Sequence, residues 1–254
     1  MLHLVVIAAM MGAAVEGDAS PSNAGDGARA EATEPARARA PVVVEMFLSQ
    51  ACANCPAAAK VTEDYVEDPR TVVLTWHVDY WDTVTHPTKG RWRDPYAKSA
   101  FSARQRQYNV TIRGRGRVFT PQAVVDGRSS IIGSRQAKVE AALAEAAALH
   151  NAEPETSPRI IFESGDGQPN VHVEGLNEGE TALLVQFYDR ARSSIHAGYN
   201  AGKVFESAHV VHTIAPLPGD GARAPLPALA TGDGCAVIVQ QAAGAVRTGS
   251  YCPR

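Results

Sequence analysis

The four cysteines make two unlike pairs, Cys52 and Cys55 separated by Ala53-Asn54, and Cys235 and Cys252 far downstream. The close pair follows Val42-Val43-Val44-Glu45-Met46-Phe47, a β-branched and apolar run that suits a buried strand. It precedes Pro56-Ala57-Ala58-Ala59-Lys60, good helix formers with a proline that a first turn tolerates. Cys52 is therefore expected at a helix N-terminus, where unpaired N–H groups and the helix dipole stabilise an anion. Such a placement lowers a thiol from near 8.5 toward about 7 or below and makes it a nucleophile. Cys55, one turn on, is placed to displace the mixed disulfide that Cys52 would form. The chemistry is thiol–disulfide exchange with a protein or small-molecule thiol or disulfide, and it needs no cofactor. The competing class is a binding module, in which the pair is a static disulfide or binds Cu or Zn. A metal site needs further N or S ligands, and His77 and His86 are the candidates.

Glu45 precedes Cys52 by seven residues in the apolar run. Desolvated there, its carboxylate would be raised toward a value suited to taking a proton from Cys55. The plainer reading is a strand residue that points to the sheet edge or pairs with a lysine or arginine. Asp79, Tyr80, Trp81 and Asp82 follow a strand end and form a candidate cleft wall or a packed lid. For Cys235 and Cys252, a two-residue turn at Ala243-Gly244 sets them opposite each other as a non-hydrogen-bonded antiparallel pair. That spacing fits a disulfide pinning a terminal hairpin.

The elements that position these residues follow from composition and punctuation. The 254 residues are 45% hydrophobic, enough for a sizeable core. Leu2 to Ala14 is apolar but too short to span a membrane, so residues 1–15 read as a signal peptide and 16–40, rich in Ala, Gly, Pro, Glu and Arg, as a disordered tether. Expectations of periplasmic or secreted location and of no membrane span after signal removal follow. Residues 41–150 then read strand, helix to Val66, strand over Thr71–Val78, helix over Pro95–Tyr108, hairpin at Asp126-Gly127 and helix over Ala137–His150. This is a mixed sheet covered by helices. Residues 151–158 are a proline-broken linker, and 159–254 read as strands at 159–163, 170–174, 181–189, 203–214 and 235–246, a second, mostly β domain. Ala215 to Pro227 reads as one long loop.

Several stretches resemble a known family: Val44-Glu45-Met46-Phe47-Leu48-Ser49-Gln50-Ala51-Cys52-Ala53-Asn54-Cys55-Pro56, then His77-Val78-Asp79-Tyr80-Trp81-Asp82, Trp92-Arg93-Asp94-Pro95 and Phe119-Thr120-Pro121-Gln122, continuing through Tyr199-Asn200-Ala201-Gly202-Lys203. Together they are similar to the exported bacterial proteins called domain of unknown function 1223. The resemblance implies a thioredoxin-like α/β fold, and in such folds a cis-proline lies beside the cysteine pair and offers backbone groups to an extended substrate. Thr120-Pro121 matches that position, with Pro121 the cis candidate. The stretch Thr85 to Arg91 departs from the pattern by lengthening one connection.

A formal net charge of -3 over the whole chain excludes a general nucleic-acid binder, yet the charge is polarised. Between Lys89 and Arg117 there are nine basic residues and one acid, Asp94. Arg113, Arg115 and Arg117 precede Thr120-Pro121 and are expected to bring positive potential to the thiols. There they would stabilise the Cys52 thiolate and steer an acidic segment or an anionic thiol. No serine–histidine–acid set, phosphate loop or dinucleotide fingerprint appears.

Overall fold

The strand β1 (Val42–Leu48) is buried at every position. Val43 and Phe47 point into one core layer, and Met46 and Leu48 into another on the opposite face. That two-sided burial is what its unbroken apolar run requires. The computed structural model describes residues 40–152, 158–164 and 167–254. The signal segment, all but the last residue of the tether, and residues 153–157 of the linker lie outside them.

Helix α1 (Cys55–Val66) carries Pro56 in its first turn, where no backbone donor is lost, and leads to β2 (Thr71–His77). β2 pairs in parallel with β1 from Val42↔Thr71 to Leu48↔His77. A short 3-10 turn, Asp79–Trp81, follows. The next helix, α2 (Ser99–Arg113), starts four residues later than the helical composition from Pro95 implied. The Asp94 carboxylate accepts the Tyr96 N–H at 3.0 Å, and the Ala97 N–H bonds the Asp94 carbonyl at 3.2 Å, so a local turn holds this stretch instead. Strands β3 (Gln122–Val125) and β4 (Ser129–Ile132) form the expected hairpin. Asp126 and Gly127 both take the left-handed conformation, with φ of 46° and 61°. A side chain at Gly127 would strike the Gly244 carbonyl at 2.0 Å, so the turn admits only glycine there. α3 (Gln136–Ala152) closes the first half.

The second half supplies β5 (Arg159–Glu163), β6 (Asn170–Glu174), β7 (Glu180–Ser194), β8 (Val204–Pro216), β9 (Ala224–Pro225), β10 (Asp233–Gln241) and β11 (Val246–Tyr251). Four of them extend the first half's sheet to the order β11-β10-β7-β8-β2-β1-β3-β4, while β5-β6-β9 form a smaller antiparallel sheet. The stretch expected as one loop, Ala215 to Pro227, instead contributes the end of β8 and all of β9. The described residues, from 40 to 254, belong to one compact unit. At the seam β2 and β8 share one register pair, Thr75↔Val210, and side chains complete the junction. The Tyr251 hydroxyl accepts the Val73 N–H at 2.7 Å, and His209, at φ 47°, sets its Nδ1 3.1 Å from the Val73 carbonyl.

Cys235 in β10 and Cys252, one residue beyond β11, are joined as a disulfide with Cα atoms 5.3 Å apart. The turn differs from the expected two-residue one. Gln241 N–H bonds the Ala245 carbonyl, giving a three-residue loop, and a register shift between Gln240↔Val246 and Val239↔Thr248 restores the expected alignment, ending at Ala236↔Tyr251. The one-residue irregularity also moves the hydrogen-bond pattern by one. The Cys252 N–H donates to the Cys235 carbonyl at 2.8 Å, so this is a hydrogen-bonded position and not a non-hydrogen-bonded one. Among the described residues no helix is long and apolar enough to cross a membrane.

Candidate functional site

The chain leaves β1 at Leu48 and turns twice before α1. The Cys52 N–H bonds the Ser49 carbonyl at 3.1 Å and the Cys55 N–H bonds the Cys52 carbonyl at 3.2 Å. The helix begins at Cys55 with Asn54 as its cap, so Cys52 lies in the turn ahead of the N-terminus and not at it. Both cysteines are free thiols and buried, 1% and 0% exposed, while Ala53 and Asn54 between them are exposed. They pack against Leu48, Ala58, Ala59, Ile195 and Phe205, with Trp81 and Trp92 partly covering the cluster.

Thr120-Pro121 is a cis peptide bond, and the Thr120 side chain lies within hydrogen-bonding reach of the thiols. The Trp81 indole N–H donates to the Thr120 hydroxyl oxygen at 2.6 Å. Because an indole nitrogen can only donate, this bond occupies a Thr120 lone pair and leaves its O–H to be given elsewhere. The two thiols are driven apart. A hydrogen bond from the Cys55 thiol, countered by burial and assisted by Thr120 and the backbone N–H groups of Asn54 and Cys55, lowers Cys52 from 9.0 to about 7. Burial, then the hydrogen bond to Cys52 and its charge, push Cys55 well above the ordinary thiol range. The groups that lower Cys52 most are Cys55, Thr120 and the two backbone N–H groups, ahead of the arginines expected from the sequence. Arg115 and Arg117 are exposed, and Arg113 is spent on Asn109 at 2.8 Å and on the face of Phe119.

The loop that presents Cys52 is held by a buried polar scaffold. Asn200, from the β7–β8 connection, donates from Nδ2 to the carbonyls of Gln50 and Cys52, both at 2.8 Å. The Gln50 N–H donates to Asp94 Oδ2 at 2.7 Å, and the same oxygen lies 2.7 Å from His77 Nδ1. Although burial pushes the Asp94 carboxyl up, His77 and then the Gln50 and Tyr96 N–H groups hold it below its ordinary range. The Gln50 side chain receives the Trp92 indole N–H at 3.1 Å and donates to Ser193 at 2.9 Å. Asn200, Asp94 and Ser193 were not singled out as site residues from the sequence. Asn200 and Asp94 lay within the family-like stretches, and nothing in residue type or spacing marked any of the three.

Glu45 is the clearest departure. Alternation along β1 turns it to the face of Val43 and Phe47, away from Met46, Leu48 and the cysteines. There Arg104 grips it with two bonds, 2.6 and 2.8 Å, and the Tyr108 hydroxyl donates to it. The plainer reading, a strand carboxylate paired with arginine, is what the structure contains. Asp79 is bound by the Ser102 hydroxyl at 2.5 Å. Burial raises Tyr80 above the ordinary phenol range, Gln105 and Thr120 oppose that rise by hydrogen bonding, and the neighbouring Cys55 and Cys52 add to it. His77 is committed to Asp94, and His86 accepts the N–H groups of Thr88 and Lys89. Among the described residues no group of three or more His, Cys, Asp or Glu side chains is arranged to hold a metal ion.

The family model described as Protein of unknown function (DUF1223) matches residues 43–240, a span that includes every site residue above. The chain belongs to this family. A protein from Agrobacterium tumefaciens, solved by X-ray crystallography, is similar over 85% of this chain and 95% of its own at 22% identity and a TM-score of 0.65. HBP35 of Porphyromonas gingivalis is similar over 84% of this chain and 75% of its own, at 11% identity and a TM-score of 0.50. At these identities the likenesses show the fold alone. No curated protein matches the chain.

Proposed function

We propose that the chain is a thioredoxin-like thiol–disulfide oxidoreductase of an oxidising, extracytoplasmic compartment. The observation that carries this reading is the asymmetry of two adjacent thiols, Cys52 lowered to about 7 and Cys55 raised, beside the cis Thr120-Pro121 bond. A thiol ionised near neutral pH is the attacking group, and a protonated neighbour waits until the first bond has formed. The Cys52 thiolate attacks one sulfur of a partner disulfide, forming a mixed disulfide and expelling the partner's other sulfur as thiolate. Cys55 then attacks the Cys52 sulfur and expels the partner's first sulfur. Its proton passes to the departing thiolate. The partner gains two electrons and two protons, one from Cys55 and one from solvent, to which Cys52 gave its own on ionising, and Cys52 and Cys55 become a disulfide. The same steps reversed oxidise a partner dithiol. Pro121 and Thr120 present backbone to the partner, and Trp81 and Tyr80 wall the cleft. The Cys235–Cys252 disulfide supports an oxidising compartment.

Trapping tests the reading. Cys55→Ser leaves the mixed disulfide unresolved, so this variant should accumulate covalent adducts with a disulfide-bonded partner that reducing agent releases, and Cys52→Ser should form none. Equal adduct formation by both variants, or none by either, refutes it.

A further inference from the structure

We infer that the thiol cleft is built to receive an acidic protein segment, a cysteine flanked by aspartate or glutamate. The inference rests on the exchange reading for its chemistry and on unneutralised charge for its partner. Most arginines outside the basic stretch sit in ion pairs: Arg70 with Asp68, Arg190 with Glu63, Arg192 with Glu206, Arg223 with Glu163 and Arg254 with Asp189. Within the stretch only Arg104 is so paired, with buried Glu45. Lys89, Arg91, Arg93, Arg113, Arg115 and Arg117 form no ion pair among the described residues, and all but Arg113 are exposed.

These six charges lie on two segments anchored beside the loop that carries Cys52. Arg91 and Arg93 flank Trp92, whose indole is bonded to Gln50, two residues before Cys52. The Gly198 N–H bonds the Lys89 carbonyl at 3.0 Å, fastening the start of that segment to the connection that carries Asn200. Arg117 precedes Thr120 by three residues, a chain reach of at most about 11 Å, and Thr120 bonds Cys52. That reach is comparable to the Debye length of about 8 to 10 Å at physiological ionic strength, so the charges act on a bound partner. The nearby acids offset them only in part: Asp94 is buried against His77, and Asp79 and Asp82 lie close by, with Asp82 in electrostatic contact with Arg93, so three carboxylates stand against six cations. Without an ion pair among the described residues and, Arg113 apart, exposed, these side chains are free to act outward, on whatever docks. A potential of one sign around a cleft raises association rates by about 10 to 1,000-fold for an opposite charge.

Three synthetic peptide disulfides should be compared as substrates of the full chain, with the cysteine flanked by aspartates, by serines or by lysines. The acidic peptide should react at least about tenfold faster than the basic one at low salt, with the difference collapsing in high salt. Arg115→Glu with Arg117→Glu should erase or invert that order. A cysteine-free acidic peptide tests the surface without the reaction, by fluorescence anisotropy. Its binding, lost in high salt, with no exchange toward any disulfide, would uphold the surface and sink the exchange reading. Exchange at equal, salt-independent rates for all three peptides would overturn the surface and leave the reaction standing. Failure of the acidic peptide to bind also overturns it.

Discussion

Thr120→Val replaces one hydroxyl with a methyl group of nearly the same shape, and the site geometry gives its effect a size. Cys52 is lowered from 9.0 to about 7, and the Thr120 hydroxyl is one of the groups that lower it. A hydrogen bond to a charged acceptor contributes about 1.5 to 3 kcal/mol, and one pKa unit corresponds to about 1.4 kcal/mol. Losing it should raise the Cys52 midpoint by about one unit, cutting the thiolate fraction at neutral pH from about one half to about one tenth. The assay is the pH dependence of iodoacetamide alkylation in a Cys55→Ser background and, separately, with Cys55 present, since the Cys55 thiol is the largest stabiliser. Trp81→Phe should raise the midpoint by less, because it removes only the donor that orients the Thr120 hydroxyl at 2.6 Å. In a Thr120→Val background Trp81→Phe should add nothing. A Thr120→Val midpoint that stays where the native one is, or a Trp81→Phe effect that persists without the hydroxyl, refutes the reasoning.

Glu45→Gln should leave the Cys52 midpoint untouched while costing about 3 to 5 kcal/mol in a denaturant titration, because it strips the partner from buried Arg104 on the far face of the sheet. Asn200→Ala removes the donor to the Gln50 and Cys52 carbonyls, so it should lower stability by about 2 kcal/mol and slow alkylation and exchange together. Because Cys52 ionises more easily folded than unfolded, the reduced chain should gain about 2 kcal/mol relative to Cys52→Ser as pH rises from about 7 to 9, and lose that margin as pH falls back through 7; urea midpoints across this range check it.

What was legible in the sequence was what short stretches determine. The apolar run of β1, the proline opening α1 and the Asp126-Gly127 turn each carry their conformation locally, and each is in place. The Cys235–Cys252 alignment was readable too, although the three-residue loop and the register shift reach it by a different route. The misses have one cause. Glu45 could be placed on a strand, but which face its partner would come from depends on α2, whose Arg104 is 59 residues away. The lowering of Cys52 expected from a helix terminus is carried in part by the N–H groups of Asn54 and Cys55 that open α1, but the larger contribution comes from the Cys55 thiol, with Thr120 added from 68 residues away. Asn200 lies 148 residues from Cys52, and no pattern in the chain connects them before the sheet is assembled.

That assembly makes the second half part of the site. Asn200 holds the Cys52 loop, Ser193 receives the Gln50 side chain, and Ile195 and Phe205, 1% and 2% exposed, pack in the same cluster as both thiols. Burial of each such apolar side chain contributes about 1.5 to 3 kcal/mol. With the hydrogen bonds added, the loss is comparable to the whole stability of an ordinary domain, about 5 to 15 kcal/mol. Removal of β8 also strips the outer edge of β2, where the Val73 backbone is satisfied by Tyr251 and His209 and the Thr75 hydroxyl bonds the Ala208 carbonyl at 2.7 Å. A chain ending at Ala152 should therefore lack a cooperative unfolding transition, and its Cys52 should titrate as an ordinary thiol. If that fragment unfolds cooperatively and keeps a Cys52 midpoint near 7, the thiols owe their chemistry to the first half alone and the role given to Asn200 is lost.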